Sequence, residues 1–115
     1  MAEASNELSG PDFEKGYGVE KLRDGEMLLG HALGEAVLVA RRGDDLFAIG
    51  ATCTHYGGPL AEGLMVDCTV RCPLHHARFD LRTGEATAAP ALNNVACYTI
   101  EKRGESFFEI GRAHV

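Results

Sequence analysis

No stretch of this chain approaches the roughly eighteen consecutive apolar residues of a membrane-spanning helix. Basic residues are also scarce. Eleven Lys and Arg stand against 17 Asp and Glu, for a formal net charge of −6. Such a balance offers no cationic stripe to neutralise phosphates, which argues against nucleic acid and against an anionic membrane surface. It does suit docking on a basic patch of a redox partner, where complementary charge mainly raises the association rate. The same charge also simply keeps a protein in solution. Residues Met1 to Lys15 carry Glu3, Glu7, Asp12 and Glu14 and no apolar run, so they are not expected to be a secretory signal. No helical periodicity lasts three turns, no internal repeat occurs, and the carboxylates show no paired spacing suited to hydrolysis.

What is present is a set of short strand-like runs separated by turn residues. Met27–Leu29 follows the turn Asp24-Gly25. The runs Ala36–Ala40 and Leu46–Ile49 flank Arg41-Arg42-Gly43-Asp44-Asp45, which predicts a hairpin. Met65-Val66, Thr69–Arg71 and Phe79–Leu81 are shorter strand candidates. Val95–Lys102 and Ser106–Ile110 flank Arg103-Gly104-Glu105, a final predicted hairpin. Spacing of this kind indicates one all-β domain, a sandwich or barrel, in a chain of 115 residues. Residues 1–15, with Gly10-Pro11, are expected to form a flexible arm ahead of a domain over 16–115.

Four cysteines in a chain with no expected secretory signal point to metal binding or free thiols before disulfides. Two of them stand in short Cys/His pairs, Cys53-Thr54-His55 and Cys72-Pro73-Leu74-His75, with sixteen residues between the pairs. Each pair offers one thiolate and one imidazole. Two thiolates on one iron and two imidazoles on the other make a mixed-ligand [2Fe–2S] centre. The same four residues could instead form a structural zinc site. Zinc fingers group a Cys pair before a His pair, whereas here the order alternates, which favours iron–sulfur.

The stretches Cys53-Thr54-His55-Tyr56-Gly57-Gly58-Pro59-Leu60 and Cys72-Pro73-Leu74-His75-His76-Ala77-Arg78-Phe79 resemble the two cluster loops of Rieske iron–sulfur domains. Gly84 followed by Pro90 is similar to the family's third, proline-bearing loop. The resemblance covers about residues 17–111. It implies an antiparallel Rieske-type sandwich or barrel, with a cluster-binding subdomain inserted between strands. The loops would span about 52–60 and 72–79, and the proline loop about 84–91. It further implies that Cys53 and Cys72 hold one iron and His55 and His75 the other. Gly57 and Gly58 would let the first loop turn sharply, Pro59 and Pro73 would stiffen both loops, and Leu60 and Leu74 would shield the cluster.

The function implied is single-electron transfer in the cytoplasm, with no catalytic site of the chain's own. A flavin-dependent reductase or reductase domain would donate electrons, and an oxygenase or other redox protein would accept them. The chain would be either a ferredoxin or the Rieske domain of a larger flavin-dependent oxidoreductase. His75-His76 and Thr83–Leu92 look more like the second group. An oxygenase in its own right would need a second, mononuclear iron; His31, His76 and His114 show no spacing suited to holding one. High-potential Rieske proteins carry a disulfide-forming cysteine in each loop, where this chain has Gly58 and Leu74. They also carry a serine and a tyrosine that donate to the cluster, where this chain has Ala77 and Phe79. A low reduction potential is therefore expected. Away from the loops, His31 and His114 are expected to be solvated, and Cys68 and Cys97 to be buried apolar cysteines.

Overall fold

The run Ala36–Ala40 is continuously apolar because both faces of its strand are covered. Val37 and Val39 enter one buried cluster, and Leu38 and Ala40 enter another. Alternate side chains of a strand point to opposite faces, so a strand between two cores reads as unbroken hydrophobicity. The computed structural model describes residues 10–52, 60–72, 77–88 and 94–112.

Among the described residues, ten strands form two antiparallel sheets: β1 (Tyr17–Gly18), β2 (Met27–Ala32), β3 (Glu35–Arg42), β4 (Asp45–Gly50), β5 (Leu64–Val66), β6 (Thr69–Arg71), β7 (Arg78–Asp80), β8 (Ala86–Ala88), β9 (Cys97–Arg103) and β10 (Ser106–Arg112). The larger sheet runs β1-β10-β9-β4-β3-β2, and the smaller runs β5-β6-β7-β8. Strands β4 and β9 are direct neighbours, with Ala48 opposite Tyr98 and Ile49 opposite Cys97. The whole small sheet is thus inserted between two paired strands of the large one. This is the all-β architecture with an inserted subdomain that the motifs implied.

Local chemistry accounts for the hairpins. β2 and β3 are joined through Leu33 and Gly34, both left-handed at φ 55° and 75°. Two positive-φ residues match the twist of the flanking strands, although Leu is a costly choice for the first position. β9 and β10 turn at Gly104, φ 64°.

One cluster lies between the sheets. It joins Leu38, Ala40 and Ile49 of the large sheet to Val70 and Phe79 of the small one, with Leu60, Leu81 and Val95. The other covers the opposite face of the large sheet. There Phe13, Tyr17 and Phe107 stack edge-on or tilted, with centroids 5.8–6.1 Å apart. Phe13 is fully buried in a short 3₁₀ turn, Phe13–Lys15, capped by the Asp12 side chain. Ordered packing therefore begins ahead of residue 16. The expected arm over 1–15 is corrected for residues 10–15, because Phe13 supplies apolar area that the sheet face alone leaves open. Residues 1–9 lie outside the described residues.

Candidate metal centre

Three loops are fastened at their necks by backbone hydrogen bonds. At the first, the chain leaves β4, Ala51 is buried, and the Leu60 N–H donates to the Ala51 carbonyl at 3.0 Å. At the second, the Cys72 N–H donates to the Ala77 carbonyl at 2.7 Å, closing the connection between β6 and β7. At the third, the Val95 N–H donates to the Gly84 carbonyl at 2.9 Å, and the Asn94 side chain accepts from the Ala86 N–H at 2.9 Å.

The necks share one foundation. Ala51, Leu60, Cys72, Ala77 and Val95 all belong to the apolar cluster between the sheets. Two glycines beside the necks approach neighbouring backbone closely. A Cβ on Gly63 would sit 1.9 Å from the Arg71 carbonyl oxygen. This contact presses the end of the first loop against the residue that precedes Cys72. A Cβ on Gly84 would sit 2.2 Å from the Val95 carbonyl oxygen, and Gly84 has φ +80°. Neither position tolerates a side chain without a backbone shift.

Among the expected ligands, the described residues include Cys72. It is 1% exposed, at the exit of β6, and not in a disulfide. Cys53, His55 and His75 lie outside the described residues, as do Tyr56, Gly57, Gly58, Pro59, Pro73, Leu74, His76, Pro90 and His114. Cys53 follows Ala51 by two residues, and His75 precedes Ala77 by two, so both leave from fastened necks. A buried thiol outside any disulfide, set against an apolar floor, with two imidazoles and a second thiol in the two sequence segments that the first and second necks enclose, suits a mixed thiolate–imidazole [2Fe–2S] centre. The described part of the site fits that group.

Other expectations are corrected. His31 is not a solvated histidine. It stands on β2 with its Nε2 4.0 Å from Asp12 Oδ2, and its buried Nδ1 has no hydrogen-bond partner among the described residues. Cys68 and Cys97 are only partly buried, because each thiol sits at the margin of a sheet beside a polar group. The Cys68 sulfur accepts from Arg42 Nη1 at 3.8 Å. The Cys97 thiol donates to the Arg82 carbonyl at 3.3 Å, and burial, then the charge of Asp80, pushes its pKa up. Leu60 is buried in the floor of the first loop. Ala77 and Phe79 are fully buried and carry no hydroxyl. The sequence reading missed Gly63, whose role shows only once Arg71 is folded beside it. It also missed Glu109, whose carboxylate is buried in an otherwise apolar strand pattern.

Comparison with known proteins agrees with this geometry. The Rieske [2Fe-2S] domain profile matches residues 16–99. The ferredoxin component of biphenyl 2,3-dioxygenase from Rhodococcus jostii (strain RHA1) is 38% identical over 84 residues, covering 73% of this chain and 78% of that protein. The anthranilate 1,2-dioxygenase ferredoxin subunit of Burkholderia cepacia is 42% identical over 64 residues, covering 56% of this chain and 59% of that one. The structure of the ferredoxin of carbazole 1,9a-dioxygenase from Nocardioides aromaticivorans IC177 superposes with a TM-score of 0.80 at 31% identity, covering 83% of this chain and 93% of that chain. These similarities give the zinc alternative no support. Among the described residues no helix is long and apolar enough to cross a membrane.

Proposed function

The chain belongs to the Rieske [2Fe–2S] domain family, and from that premise we propose that it passes single electrons to an oxygenase. When bound, a Rieske cluster takes up and returns one electron. The observation that carries the reading is the shared foundation of the three loop necks, with the Cys72 thiol buried at its edge.

Cys53 and Cys72 would hold one iron and His55 and His75 the other. The protein's task is positional. Hydrogen bonds at the necks fix the loop roots, so little chain entropy remains to be lost when ligands converge. The apolar floor of Leu60, Val70, Phe79 and Leu81 keeps water from the inner side of the site. That burial favours the less charged oxidation state. The backbone at Ala77 and Phe79 brings no side-chain donor to steady added negative charge, which supports a potential toward the negative end of the Rieske range of about −150 to +300 mV. A flavin-dependent reductase is the proposed electron donor. The relatives are ferredoxin components of dioxygenases, which favours the ferredoxin branch over a domain of a larger flavin-dependent protein.

The test is electron paramagnetic resonance of the dithionite-reduced protein, alongside His55→Ala and His75→Ala variants. The wild type is expected to give a Rieske-type signal that either substitution removes. A signal indifferent to both would end the ligand assignment. Failure of the reduced protein to pass electrons to any ring-hydroxylating oxygenase would end the acceptor assignment.

A further inference from the structure

Arg71 of β6 and Arg78 of β7 stand directly opposite each other on the outer face of the small sheet. Like charges at facing positions of neighbouring strands are destabilising unless something offsets them. Among the described residues no carboxylate pairs with either. Nearby, Arg42 takes Asp67 at 3.2 Å, and Arg82 takes Asp80 at 3.0 Å. These two carboxylates thus have other partners. Among the described residues, Arg71 and Arg78 make no side-chain hydrogen bond or ion pair.

The two guanidinium groups line a cleft of about 400 Å³ together with Leu64, Val66, Thr69 and Thr87. Leu64 and Val66, on the edge strand β5, are 55% and 51% exposed. Leu64 is the cross-strand partner of Arg71, so one row runs aliphatic, cation, cation across three strands. Asp67, the remaining wall residue, is held by Arg42. The opposite face of the same strands, through Val70 and Phe79, is sealed in the core.

We propose that this cleft is a binding site for a small monocarboxylate with an apolar body, about the size of benzoate. The guanidinium pair matches a carboxylate, which arginine recognises through parallel N–H donors. Leu64 and Val66 offer the apolar body a surface, and the Thr69 and Thr87 hydroxyls lie beside it. The volume lies in the range typical of small-molecule sites, about 300–1,000 Å³. The site is separate from electron transfer and stands or falls apart from that function.

Ligand-observed ¹⁹F nuclear magnetic resonance of 4-fluorobenzoate with the cluster-loaded protein tests it. Saturable line broadening is expected, displaced by benzoate and at least roughly tenfold less well by neutral benzamide. Arg71→Gln with Arg78→Gln should weaken binding roughly tenfold or more. Leu64→Ser, on a strand that carries no cluster ligand, should weaken it several-fold and guards against misfolding of the double variant. No saturable broadening up to about 10 mM, equal competition by benzamide, or full-strength binding by a folded double variant each overturns the proposal.

Discussion

The two buried clusters differ in one respect that matters. The cluster between the sheets is wholly apolar and anchors the loop necks. The cluster on the far face, under the Phe13 turn, adjoins a carboxylate. Glu109 of β10 is 3% exposed, and among the described residues neither of its side-chain oxygens has a hydrogen-bond partner. Burial, then the charges of Glu14, Glu35 and Asp12, raises its pKa from 4.5 to about 7. Among the described residues, this raised carboxylate makes the far side the one that answers to protons.

The largest effect that separates the two regions should come from truncating their aromatic cores. Phe79→Ala and Phe13→Ala should each cost roughly 3–5 kcal/mol in chemical denaturation. Only Phe79→Ala should also lower the iron content of the purified protein, because Phe79 shares its cluster with the necks. Equal loss of iron in both variants would erase the distinction. Gly63→Ala probes the same side through the backbone. It should cost on the order of 2–3 kcal/mol and release iron faster to a chelator, since Arg71 must move to admit the methyl group.

The far side answers to pH. In the folded state Glu109 keeps its proton up to about pH 7, whereas in the unfolded chain it loses it near 4.5. The folded protein therefore binds more protons between these values, so stability falls as pH rises across that window. The contribution is complete below 4.5 and gone above 7. Glu109→Gln should abolish the fall and be more stable than the wild type at pH 8 by roughly 2 kcal/mol, with little difference at pH 4. Thermal unfolding at both pH values measures it. The smallest effect belongs to neither cluster. Leu33, 49% exposed, holds φ 55°. Leu33→Asn should raise stability by about 1 kcal/mol, with no change in iron content.

Much of this was legible in the residues. Turn chemistry at Gly43 and Gly104 marked two hairpins, and the Cys/His pairs marked the loops. Tyr17–Gly18 and Ala86–Ala88 were not read as strands, because two or three residues carry too little pattern to separate strand from loop. Phe13 gives no local sign of its burial. Its neighbours are polar, and only the uncovered face of the large sheet gives it somewhere to go. Glu109 sits between apolar positions of β10, where alternation predicts a face but not its lack of partners. The Arg71–Arg78 pair needed strand register to appear, since the two residues are separated by the second loop.

The pairing of Ile49 with Cys97 has a bearing on how such a chain can change. The backbone departs from the large sheet and re-enters beside its own point of departure. Everything between those two residues hangs from a closed seam, so lengthening or exchanging it would add only a slowly growing closure cost. Changes of length in the inserted segment are thus cheap as long as Val70, Phe79 and Leu81 keep their packing against Leu38 and Ile49.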